Sequence, residues 1–155
     1  MNKIVSHDEI EQIAKELKQQ NKTIVTTNGC FDILHVGHVR YLQEAKKLGE
    51  VLIIALNSDS SVRILKGPTR PINNESDRAE VLAALSCVDY VVIFEEQTPV
   101  NLLARIKPDI HTKGGDYNLD NLPETKVILE NGGKLEFIKF VEGKSTTNII
   151  NKAKN

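Results

Sequence analysis

A chain of 155 residues with 40% hydrophobic and 26% charged residues suits a single globular domain spanning 1–155 and leaves little room for two. A formal net charge of −1 argues against strong attraction to nucleic acid or to an anionic membrane. The longest apolar run, Val51 to Leu56, is too short to span a bilayer, and the N-terminus turns polar at once. The two cysteines, Cys30 and Cys87, have neither disulfide-like nor metal-like spacing; this points to a reduced, cytoplasmic protein.

In chain order, Ser6 to Glu9 reads as a capping box that opens a helix with Ile10, Ile13, Ala14 and Leu17 on one face. Thr23 to Thr27 is a β-branched strand ending at Asn28-Gly29. A helix follows from about Gly37 to Leu48, with Gly49 as its C′ stop. Val51 to Leu56 has the continuous apolar character of a strand buried on both faces, and Asn57-Ser58-Asp59 ends it. A polar loop carries Lys66-Gly67-Pro68-Thr69-Arg70-Pro71, and Asn74 caps a helix through about Leu85. Tyr90 to Phe94 is a third strand. Thr98-Pro99 places a cap before an N1 proline. Asp109 to Thr112 is a fourth strand, Pro123 to Glu130 a helix, Leu135 to Phe140 an edge strand, and Ser145 caps a last helix.

Strands alternating with helices predict a Rossmann-like α/β fold: a doubly wound five-stranded parallel sheet between two helical layers, in one domain. Ligands of such sheets bind beyond the carboxyl ends of the strands. The residues there are Asn28-Gly29, Asn57-Ser58-Asp59, Glu95-Glu96, Lys113-Gly114-Gly115-Asp116 and, before the last helix, Ser145-Thr146-Thr147. They are polar, charged or glycine-rich, as phosphates and sugar hydroxyls require, although ordinary loops are polar too.

His35 and His38 stand three residues apart where a helix begins, with Gly37 between them. A helix N-terminus offers unpaired N–H groups and partial positive charge, and two imidazoles there can donate to phosphate oxygens. Spacing alone fits structural or surface histidines equally well. His7 and His111 are the other histidines, and no nearby cysteine completes a zinc set. No metal ligand is assigned.

The run from Gly29 to His38 meets the pattern Gly-x-Phe-Asp-x-x-His-x-Gly-His in full. It resembles the His-x-Gly-His nucleotidyltransferase superfamily, in its cytidylyltransferase-like branch. Leu56-Asn57-Ser58-Asp59, Leu65-Lys66-Gly67 with Arg70-Pro71, Lys113 to Tyr117 and Ser145 to Ile150 are similar to the heptose-phosphate adenylyltransferases within it. The resemblance covers roughly Thr23 to Lys152 and includes no sugar-kinase domain, as in a free-standing enzyme or an isolated domain.

The resemblance implies adenylyl transfer from ATP, with Mg2+, to a heptose 1-phosphate by direct attack on the α-phosphorus. It makes His35, His38 and Lys66 the catalytic residues. Asn28, Gly29, Cys30, Phe31, Gly37, Lys113, Gly114, Asp116, Ser145, Thr146 and Thr147 would surround the nucleotide. Asp32, Asn57, Asp59, Arg70 and Arg78 would serve the sugar phosphate. Each has a bland reading: packing for Phe31, a local turn for Asp32, a solvated loop pair for Lys66 and Arg70, a surface salt bridge to Glu75 or Glu80 for Arg78, and capping for Asn57, Asp59 and Ser145. Many family members carry a basic residue after the late Ser/Thr motif; here Ile150 stands nearer and Lys152 two further on. A homodimer is also implied by the resemblance, though the sequence shows no interface. Within the same chemistry the alternative is cytidylyl transfer to glycerol 3-phosphate or another phosphoalcohol, or guanylyl transfer to a heptose phosphate. A regulatory nucleotide-binding module without turnover is a third reading; retention of both histidines and Lys66 speaks against it.

Overall fold

The computed structural model describes residues 2–114, 122–139 and 146–154, the last without the side chains of 146–148. Five parallel strands form one sheet: β1 (Ile24–Gly29), β2 (Val51–Asn57), β3 (Tyr90–Phe94), β4 (Ile110–Gly114) and β5 (Lys134–Ile138), in the order β3-β2-β1-β4-β5. The chain leaves β1 in one direction for β2 and β3, then returns to its other edge for β4 and β5. The turning point of that order lies between β1 and β4, where open α/β sheets hold their ligands.

Helices cover both faces. Helices α2 (Val36–Lys46) and α4 (Glu75–Ala83) lie on one, where Tyr41, Leu42, Ala45, Ala79 and Leu82 meet Leu52, Ile54 and Leu56. On the other face, α1 (His7–Gln19) and α5 (Val100–Ile106) pack Ile10, Ala14, Leu102 and Ile106 against Val51, Ile53 and Ala55. β2 thus feeds both cores by alternation, and all seven of its residues are buried. Each such Leu or Ile contributes about 2 kcal/mol by leaving water. The doubly wound, single-sheet α/β architecture matches the expectation from the sequence.

Ser6 and Glu9 do form the capping box of α1. Several boundaries differ. Asp59–Lys66 is a helix, α3, capped by the Ser58 side chain, where the sequence reads as the start of a polar loop. Among its residues only Ser61 and Val62 are buried, so its apolar signal is weak. Pro99, not Thr98, stands at the N-cap of α5, and no side chain caps that end. Gly49 is not a left-handed stop: a Cβ there would meet the Thr23 carbonyl oxygen and Val25 Cγ2, both at 2.8 Å. It is needed for close approach of α2's exit to β1. β4 begins a residue later than expected and runs to Gly114, and α6 (Thr125–Glu130) begins two residues after Pro123. α7 (Thr146–Lys154) closes the chain; the expected Ser145 cap lies outside the described residues.

Candidate active site

β1 delivers the chain to the turning point of the sheet and then bends sharply. Phe31 takes a left-handed backbone conformation, with φ of 45°. Its ring folds back so closely that a Cβ on Gly29 would meet Phe31 Cε2 at 2.9 Å, so any larger residue there would have to push the ring aside. The same ring meets His38 edge-on, with centroids 5.2 Å apart.

His35 is the N-cap of α2 and His38 is its third residue. They form a capping box built from imidazoles. The Gly37 N–H donates to His35 Nδ1 at 3.1 Å, and the His35 N–H donates to His38 Nδ1 at 3.4 Å. Two orphan donors of the helix start are satisfied in this way. The rings stack at 3.9 Å with planes 27° apart. Since each Nδ1 accepts, each neutral ring carries its proton on Nε2. Burial, reinforced by the neighbouring His35, pushes the pKa of His38 down to about 4. It is a neutral donor at physiological pH.

Asp32 has two readings in the sequence, a sugar-phosphate contact and a hydrogen-bond partner; the structure makes it a hydrogen-bond partner. Its buried carboxylate accepts the N–H groups of Ile72 (2.8 Å) and Asn73 (2.9 Å) and the Arg70 Nε–H (2.9 Å). An acceptor-only group so engaged has nothing to offer a phosphate. It anchors the segment that carries Arg70. Burial pushes its pKa up, but the N–H donors of Asn73 and Ile72 and the Arg70 guanidinium outweigh this and hold it below the carboxylate range.

Arg78 was also expected to face phosphate or to pair with Glu75 or Glu80. Instead it is buried and ties together the segments that carry Cys30, Asn57, Asp59 and Asn73. Nη1 donates to the carbonyls of Cys30 and Asn57, both at 2.8 Å, and Nε to that of Asn73 at 2.9 Å. Nη2 pairs with Asp59 Oδ1 at 2.8 Å. Four of its five N–H donors are thereby held within the protein. Asp59, at the start of α3, is one of those partners. Asn57, likewise buried, donates from Nδ2 to Ser61 Oγ at 2.9 Å. Both are engaged at the junction of β2 and α3 by these bonds.

Lys66 ends α3 and is exposed. Burial raises the Cys30 thiol pKa, and the opposing charges are Lys66, Arg78 and Arg70, in that order. Those three cations therefore gather around the 30–32 turn. Cys30 itself stays a thiol and contributes its carbonyl to Arg78.

At the end of β4, Lys113 Nζ lies 3.2 Å from Asn28 Oδ1 and 3.3 Å from Glu124 Oε1. Gly114 closes the strand. The structure thus brings Asn28, Gly29, Cys30, Phe31, Gly37, Lys113 and Gly114 around the β1–β4 turning point. Asp116 and Ser145 lie outside the described residues; Thr146 and Thr147 open α7, and their side chains are not among those described. His111 and Glu124 were not expected here. Both are buried beside Asn28 and Lys113. In sequence no zinc set forms around His111, and Glu124 reads as a helix residue; only the tertiary structure brings them together.

A family model described as cytidylyltransferase-like matches residues 26–152. Among curated proteins, the chain is 53% identical over 150 residues to the bifunctional protein HldE of Geobacter metallireducens. It is 56% identical over 147 residues to that of Aliarcobacter butzleri. These matches take in 97% and 95% of this chain but only 31% and 30% of those proteins. The chain thus spans under a third of the relatives' length. Among solved structures, the lipopolysaccharide core biosynthesis protein from Thermoplasma volcanium GSS1 is similar at a TM-score of 0.64 and 31% identity, over 79% of this chain and 99% of that one.

Proposed function

Because the chain belongs to the cytidylyltransferase-like family, we propose that it transfers the adenylyl group of ATP to D-glycero-β-D-manno-heptose 1-phosphate, giving ADP-heptose and pyrophosphate. One observation carries the chemistry. Two stacked imidazoles at a helix N-terminus have their Nδ1 atoms occupied as acceptors, so each neutral ring bears its proton on Nε2. Such donors suit the charge that builds on phosphate oxygens during phosphoryl transfer.

In this mechanism an oxygen of the sugar 1-phosphate forms a bond to the α-phosphorus. The bond from that phosphorus to the bridging oxygen breaks, and pyrophosphate leaves on the opposite side. No enzyme nucleophile takes part. His35 and His38 donate to the phosphate oxygens throughout. Lys66, exposed beside the 30–32 turn, brings a mobile positive charge to the leaving group. Arg70, held by Asp32, binds the sugar phosphate. Asn28, Lys113 and Gly114 meet the nucleotide; the sequence resemblance gives Asp116, Ser145, Thr146 and Thr147 the same role. Asn57, Asp59 and Arg78 hold the crevice in shape. Magnesium enters with ATP as part of the substrate. Among the described residues no three His, Cys, Asp or Glu side chains converge as a cage.

The heptose acceptor rests on the Lys113 to Tyr117 and Ser145 to Ile150 segments and on similarity to the HldE proteins. The similarity to a protein of lipopolysaccharide core biosynthesis supports it, since building such a core consumes activated sugars. The family description favours one competitor, cytidylyl transfer. Pyrophosphate release should be measured with ATP, CTP, GTP and UTP against a panel of sugar phosphates and glycerol 3-phosphate. Release with ATP and the heptose 1-phosphate is expected; turnover with CTP alone would replace the adenylyl assignment.

A further inference from the structure

We infer that His111 and Glu124 are positioning residues, which fix the side chains of Asn28 and Lys113 at the β1–β4 turning point to receive the nucleotide. The inference rests on the nucleotidyltransferase reading. His111 is fully buried in the middle of the sheet, a costly place for an imidazole unless every polar atom is used. All of it is used. Nδ1 lies 2.7 Å from Thr26 Oγ1, and Nε2 lies 3.2 Å from Asn28 Oδ1 and 3.7 Å from Glu124 Oε1. Asn28 Oδ1 and the Glu124 carboxylate can only accept, so Nε2 bears the proton and the Thr26 hydroxyl donates to Nδ1.

The chain of contacts ends on Asn28. Its Oδ1 accepts from both His111 Nε2 and Lys113 Nζ. That settles which way the amide faces. The Nδ2 group makes no hydrogen bond to any described residue and remains a pair of donors at the carboxyl end of β1. Glu124, buried at the head of α6, holds Lys113 Nζ at 3.3 Å while its other neighbour is His111. The two buried residues therefore set two donors, a neutral amide and an ammonium, side by side. That arrangement matches a ligand rich in acceptor oxygens, as a nucleotide's ribose and phosphates are.

Calorimetric titration of the full chain with Mg·ATP tests the inference. If the wild-type chain does not bind, the nucleotidyltransferase reading fails on its own account. Where it binds, Glu124→Gln is expected to weaken Mg·ATP about tenfold, the loss of one well-placed charged donor. The KM for the sugar phosphate should stay unchanged. In a chain already carrying Asn28→Ala and Lys113→Ala, the same substitution should add nothing. A merely structural Glu124 would lower the melting temperature yet leave the affinity of the folded chain alone; unchanged affinity, or effects that add in the triple variant, overturns the inference. Should Glu124→Gln fail to fold, the long-range 15N–1H spectrum of wild-type His111 decides. The Nε2–H tautomer is expected, and an Nδ1–H tautomer would overturn the assignment, because the ring could not then donate to Asn28.

Discussion

Asp32 and Arg70 are joined by a 2.9 Å bond between Oδ2 and Nε, with the carboxylate fully enclosed and the guanidinium largely so. The turn that follows β1 thereby holds the loop that carries Arg70. Arg70→Ala is expected to raise the KM for the sugar phosphate about tenfold and to lower the melting temperature, because the enclosed Asp32 carboxylate loses its cation. Asp32→Asn should lower the melting temperature as well, since an amide NH2 would face the N–H groups of Ile72 and Asn73. Steady-state kinetics paired with a thermal melt checks both variants.

His35→Ala and His38→Ala should each lower kcat by about 10² to 10³, the scale for losing one donor to a charged transition state. The fold should survive, because solvent can take over the two capping bonds. Circular dichroism and pyrophosphate release read the two effects, and unchanged turnover would remove the catalytic role.

The depressed pKa of His38 gives two pH dependences. Turnover should be independent of His38 ionisation from neutral pH down to near its pKa of about 4. Stability follows a different window. Between the ordinary value of 6.5 and about 4, the unfolded chain takes up a proton that the folded chain resists. Stability is therefore complete above 6.5 and falls as the pH drops toward 4; protonation would also break the bond from the His35 N–H. Burial lowers His111 in the same sense, despite Glu124. Glu124, where burial is outweighed by His111 and Lys113, has a pKa of about 2, so its contribution is lost only below 4.5. Urea denaturation at stepped pH should show both losses on the acid side.

Arg78→Met should cost about 3 kcal/mol of unfolding free energy, because three carbonyls and Asp59 lose their donor in a buried place. Arg78→Lys should recover little, since one ammonium cannot reach four acceptors lying in fixed directions. Denaturant midpoints compare the three chains.

Much of the fold was legible because its signals are local. The unbroken apolar run of β2 reads as a strand buried on both faces, and the Ser6–Glu9 box marks the start of α1. The short helix α3 was hidden because it buries little. Within the site, the stretch from Gly29 to His38 is contiguous and therefore visible, whereas the tasks of Asp32 and Arg78 depend on partners dozens of residues away. His111 carries no role in the sequence reading, because nothing in its sequence neighbourhood shows that β4 lies beside β1 and sets it against Thr26 and Asn28. Polar residues at helix starts announce themselves, while polar residues inside a sheet acquire meaning only from the strand next door.

The strand order also bears on how the molecule comes to be made. β1 gains its second neighbour only through pairs such as Thr26 with His111, 85 positions apart. A nascent chain that has emerged only as far as β3 presents one edge of its most central strand with unpaired N–H and C=O groups. That exposed edge is open to pairing with another growing chain until β4 arrives. Closing so long a loop also places assembly of the catalytic crevice late in folding, so that activity should return on refolding no sooner than the final tertiary signal.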